Sequence, residues 1–134
     1  MESASILVVE DEAIVALDIT QYLESMGYRV AATAVSGEEA VELAKELQPS
    51  LVLMDMVLQG EMDGVQTATS IGRSLHIPIV FLTAYNDPDS VRRLAEVAPY
   101  GYLTKPFQAR ELQAAIEVAL CKSQAELRLR ESEQ

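Results

Sequence analysis

The chain has 134 residues, 49% hydrophobic and 23% charged, with a formal net charge of −11, which suits one globular domain with a real core. The acidic balance disfavours direct nucleic-acid binding, and no apolar run approaches the roughly 20 residues that span a bilayer. Its single cysteine, Cys121, cannot close an internal disulfide, and Met1-Glu2-Ser3-Ala4 lacks the pattern of a signal peptide, so a cytoplasmic setting is expected.

In chain order, Ser5 to Val9 reads as a short apolar strand bounded by acids. Residues 12–26 carry Val15, Ile19, Leu23 and Met26 at a helical period, with Gly27 where a helix C-terminus belongs. Tyr28 to Thr33 reads as the second strand. Ser36 followed by Glu39 predicts a capping box opening a second helix, which Pro49 ends. Leu51 to Met54 is a compact apolar strand leading into Asp55, and the glycines and acids of residues 56–64 mark a loop. A third helix is expected over Val65 to Ser74, and a fourth strand over Ile77 to Leu82, with Pro78 tolerable only near its start. Asp87-Pro88 looks like a cap and first turn for a helix running to Val97. A short fifth strand holds Tyr102 and Leu103, and one long helical pattern runs from Phe107. Strands alternating with helices predict a doubly wound α/β fold with a parallel sheet and helices on both faces.

Four polar groups close these apolar runs: Glu10-Asp11, Asp55, Thr83 and Lys105. In such a sheet, ligands bind outside the carboxyl ends of the strands, so residues distant in sequence converge there. Three carboxylates suit a hard divalent cation such as magnesium, which takes oxygen ligands. Without a counter-charge their joint ionisation is unfavourable, and Lys105 supplies one. A carboxylate can act as a nucleophile toward phosphorus, an ammonium can neutralise the transferring group, and Thr83 offers a hydroxyl to it. Any one acid at a strand end is ordinarily a solvated loop residue or a cap. The conjunction carries the signal.

The stretches Ile6-Leu7-Val8-Val9-Glu10-Asp11-Glu12, Leu53-Met54-Asp55-Met56, Asp63-Gly64, Leu82-Thr83-Ala84 and Gly101-Tyr102-Leu103-Thr104-Lys105-Pro106-Phe107 resemble the receiver domain of two-component response regulators. The resemblance implies a flavodoxin-like sheet of five strands in the order 2-1-3-4-5 with five helices. It implies that Asp55 accepts a phosphoryl group from the phosphohistidine of a sensor histidine kinase or phosphotransfer protein, so that the domain is a phospho-acceptor and not an enzyme in the usual sense. Asp11 and Asp55, with the Val57 carbonyl, would bind Mg2+ directly and Glu10 through water. Lys105 would pair with the phosphate, Thr83 would donate to it, Lys105-Pro106 would be a cis peptide, and Tyr102 would be the aromatic switch residue. The altered surface would be the face of the fourth helix, fifth strand and fifth helix, read by an effector domain or partner protein. A homodimer through that face is left open.

Two departures stand out. Glu10-Asp11 replaces the usual Asp-Asp pair, and the loop between Asp55 and Gly64 is one residue longer than the commonest pattern, with Gly60 near the usual proline. Val57 and Tyr85, each two residues past a site residue, offer no carboxylate or amide to position an attacking water, which predicts slow phosphate loss. A haloacid-dehalogenase-like hydrolase would want an aspartate where Val57 stands. A mononucleotide binder would want a phosphate loop where Glu10-Asp11-Glu12 repels one. A purely structural adaptor would not bind magnesium. The domain is expected over residues 1–121, with 122–134 a charged helical extension that serves as a connector or frays. The chain reads either as part of a longer signalling protein or as a stand-alone receiver. His76 reads as a surface loop histidine, Cys121 as an idle thiol, and Arg92-Arg93 as a solvated helix face open to partner contact.

Overall fold

The computed structural model describes residues 4–84, 88–89, 92–93 and 100–133. Five strands, β1 (Ser5–Val9), β2 (Arg29–Ala34), β3 (Leu51–Asp55), β4 (Ile79–Ala84) and β5 (Gly101–Lys105), form one parallel sheet in the order β2-β1-β3-β4-β5. Four helices lie among the described residues: α1 (Ala13–Ser25), α2 (Gly37–Leu47), α3 (Gly64–Ser74) and α4 (Ala109–Glu133). The helix expected from Pro88 to Val97 falls for the most part outside them, although residues 88–89 and 92–93 are helical.

Alternation along the strands divides the core into two layers. Leu7, Val9, Val52, Met54, Ile79 and Phe81 pack with Ala40, Ala44, Ala68 and Ile71 on the α2/α3 side. On the other side Ile6, Val8, Leu51, Leu53, Val80 and Leu82 pack with Ile19 and Leu23 of α1 and Leu112, Ile116 and Ala119 of α4. Because β1 and β3 are covered on both faces, they read as unbroken apolar runs.

Local chemistry sets the helix ends. α1 closes with Tyr28 N–H donating to Leu23 O at 3.0 Å and Gly27 N–H to Glu24 O at 3.1 Å, the two bonds of a Schellman motif. At α2, Ser36 Oγ accepts from Glu39 N–H at 3.2 Å, but Glu39 reaches one residue further back than a capping box requires and accepts from Val35 N–H at 2.8 Å. The reciprocal box is on α3, where Asp63 accepts from Gln66 N–H and Gln66 accepts from Asp63 N–H. β4 begins at Ile79, two residues later than expected: Pro78 has no N–H to give the ladder, and it meets β3 only through its carbonyl, which accepts from Val52 N–H at 3.0 Å.

α4 is continuous for 25 residues. Ser123, past the expected domain edge, is buried. Near it, Glu126 accepts from the Tyr100 hydroxyl and lies 3.8 Å from His76 Nε2, and Lys122 Nζ sits 6.0 Å from the Tyr100 ring centroid. His76 is thus a half-buried partner of Tyr100 and Glu126 and not a free loop side chain. No helix among the described residues is long and apolar enough to cross a membrane.

Candidate functional site

The register of the sheet assembles the site. Val9 aligns with Met54, and Asp55 with Leu82 and through it Leu103; Thr83 and Thr104 form the next row, Ala84 and Lys105 the one after. Glu10 follows β1 directly, its N–H held by Ala34 O at 2.9 Å. Strand ends from four sequence-distant segments therefore meet at one edge of the sheet.

Lys105 Nζ sits between two carboxylates, 2.8 Å from Glu10 Oε1 and 3.0 Å from Asp55 Oδ2. The remaining oxygens are also engaged: Glu10 Oε2 accepts from Glu12 N–H at 3.2 Å, and Asp55 Oδ1 from Val57 N–H at 3.1 Å. Glu10 is only 1% exposed. Burial, and then the hydrogen bond and charge of neighbouring Asp55, push its carboxyl from the ordinary 4.5 up to about 7, against the downward pull of Lys105 and the Glu12 N–H. Burial alone would pull the Lys105 ammonium down; its hydrogen bonds to Glu10 and Asp55, and their charges, outweigh that and raise it above 10.5.

Glu10, Asp11 and Asp55 each bring one oxygen within 4.8 Å of the others. Two ligands opposite one another across Mg2+ stand about 4.2 Å apart, so these donors match the ion in type and nearly in spacing. The set is of the kind that holds Mg2+ in receiver domains. Thr83 is buried at the end of β4, one row beyond Asp55, whereas Tyr102 on β5 is 55% exposed. Val57 is exposed at the edge of the site. Tyr85 lies outside the described residues. The Lys105-Pro106 peptide is cis, as the resemblance implied.

Sequence and fold together match a known domain: the response regulator receiver domain aligns with residues 6–117. The chain belongs to that family. As a receiver domain it is 38% identical over 117 residues to the transcriptional regulatory protein PdtaR of Mycobacterium tuberculosis and 40% identical over 121 residues to the transcriptional regulatory protein YvrH of Bacillus subtilis. Those alignments cover 87% and 90% of this chain but 57% and 50% of the relatives, so the chain spans about half their length. The solved receiver domain of a modulated diguanylate cyclase from Desulfovibrio desulfuricans G20 superposes with a TM-score of 0.87 at 38% identity, covering 93% of this chain and 99% of that one. The N-terminal domain of a response regulator/sensory box/GGDEF three-domain protein from Carboxydothermus hydrogenoformans gives 0.82 at 39%, covering 92% and 98%. This receiver domain is thus a phospho-acceptor module of two-component signalling. Receiver domains partner with histidine kinases, and its relatives are parts of larger regulators.

Two groups of residues around the receiver site escaped the sequence reading. Asp63 and Gln66 were legible as a capping pair at the right spacing, and their box starts α3 at Gly64, one residue before the expected Val65. Glu38, an exposed acid in the first turn of α2, carried no signal at all: it accepts from Met62 N–H, 24 residues away.

Proposed function

We propose that Asp55 accepts a phosphoryl group from the phosphohistidine of a histidine kinase or phosphotransfer protein, and that the acylphosphate switches the face of β5, α4 and the fourth helix expected from the sequence, most of which lies outside the described residues. The observation that carries this reading is the Lys105 ammonium bridging Glu10 and Asp55 at the strand ends. An Asp55 carboxylate oxygen attacks phosphorus, the P–N bond breaks, and the imidazole leaves with its electron pair, protonated from solvent. Lys105 gives charge to the transferring oxygens without leaving its position between the acids. A Mg2+ ion held by Asp11, Asp55 and the Val57 carbonyl, with Glu10 acting through water, would neutralise further charge on the phosphoryl group. Lys105 also lines a groove of about 400 Å³ with Val15, Tyr22 and Phe107, giving a partner side chain an approach beside α1.

The phosphate adds roughly −1.5 to −2 charges and three strong acceptors beside Thr83. Thr83 turns to donate to one of them, and Tyr102, exposed beforehand, moves into the space released. The charged extension, residues 122–134, serves as connector to an effector domain, or the face binds a separate partner protein.

Incubation with acetyl phosphate and Mg2+ is expected to add the mass of one phosphoryl group to the wild-type protein and none to Asp55→Ala; equal labelling of both would overturn the assignment. A second expectation concerns lifetime. Val57 presents only hydrocarbon at the rim, so Val57→Asn, which supplies an amide able to orient water, should speed decay of the phosphorylated form several-fold. Unchanged decay would show that water is positioned by other groups.

A further inference from the structure

The long loop from Met56 to Asp63 is tied to the first turn of α2. Gln59 makes a parallel β-bridge with Ser36, Glu38 Oε1 accepts from Met62 N–H at 3.2 Å, and the buried Gly37 lies against Met62 and Thr67. Gly60 turns the chain at a φ of +95°, and a Cβ there would stand 2.9 Å from Glu38 Oε2. Glycine therefore meets two demands at once: a left-handed backbone and room for the Glu38 carboxylate. The tether acts on both sides of the site. Upstream of the bridge is Val57, whose N–H holds Asp55 Oδ1; downstream is Asp63, which caps α3.

We infer that Glu38 is a positioning residue: by anchoring the Met62 end of this loop it sets where the Val57 backbone stands over the phospho-acceptor site. Glu38 touches neither Asp55 nor Lys105, and it acts through the loop alone. The loop is closed at its base by Gly64 N–H donating to Met56 O at 3.0 Å, and α2 holds its middle through Ser36 and Glu38. This inference rests on the proposed reading of Asp55 and Val57 for its effect on phosphorylation, but its anchoring part does not.

Glu38→Ala and Glu38→Gln in the 134-residue chain separate the contributions. Alanine removes the acceptor; glutamine keeps an acceptor oxygen and, like alanine, removes the negative charge. In metal-free protein, amide exchange over residues 57–63 should accelerate about three- to tenfold in Glu38→Ala, the weight of one ordinary hydrogen bond, and stay near wild type in Glu38→Gln. Mg2+ affinity by titration calorimetry should fall by a similar factor in Glu38→Ala only, with an unchanged thermal midpoint in both variants. Wild-type exchange in Glu38→Ala would overturn the anchor. Faster exchange with unchanged Mg2+ affinity would overturn the positioning role, and equal loss in both variants would assign the effect to charge. Failure of wild-type protein to take up phosphate would sink the reading of Asp55 and leave the exchange result standing.

Discussion

Gly64→Ala is expected to cost about 3 kcal/mol of folding stability, because a methyl group there meets only backbone. Gly64 is the first residue of α3, and its N–H donates to Met56 O at 3.0 Å. A Cβ on it would stand 2.2 Å from Asp55 O, 2.8 Å from Met56 Cα and 3.0 Å from Asp55 C. All three neighbours are backbone, so no side chain can swing aside. Either α3 lifts from β3 or the strand end bends away, and the second outcome displaces the phospho-acceptor. Urea unfolding at neutral pH measures the cost. Gly72→Ala in the same helix is the control: nothing lies within 4 Å of its Cβ position, so it should gain up to about 1 kcal/mol from helix propensity. Equal stability of Gly64→Ala and wild type would show that the two segments are farther apart than described.

The buried acid gives the second large effect. With its folded value at about 7 against an ordinary 4.5, Glu10 holds its proton more tightly folded than unfolded. The sign follows: this contribution is fully present below pH 4.5 and is lost as pH rises through 7, on the order of 3 kcal/mol across the window. Metal-free protein should therefore lose stability from Glu10 between pH 5 and 8, and Glu10→Gln should flatten the profile there. Lys105 contributes no slope in this range, since its raised value keeps it charged throughout. A divalent cation needs the ionised acids, so Mg2+ affinity should rise by up to tenfold per pH unit toward pH 7. Binding near neutrality should release up to one proton, read as a dependence of the calorimetric heat on buffer ionisation enthalpy. Binding with no proton release in the wild type would refute the account of Glu10.

What could be read from the residues divides along the range of the forces involved. β1 and β3 were legible because both their faces are buried, which writes a continuous apolar run into the chain. The convergence of Glu10, Asp11, Asp55 and Lys105 followed from a rule about where parallel strands end, and the structure brings these four together. The start of β4 was misread because hydropathy continues through Ile77 and Pro78, whereas Pro78 accepts one bond from Val52 N–H and has no N–H to donate in return. Likewise Glu39 satisfied the spacing of a capping box but bonded to Val35, since the pattern states which residue reaches back and not how far. Glu38 was invisible for a different reason. Its partner is set by the packing of α2 against α3, and no local pattern in an exposed acid encodes a contact 24 residues away.

The C-terminal helix has a mechanical consequence. At 1.5 Å per residue its 25 residues make a rod about 38 Å long, anchored to the sheet by Leu112, Ile116 and Ala119 and again at Glu126. With anchors spread from Leu112 to Glu126, the rod is fixed to the sheet edge along most of its length and follows that edge as one body.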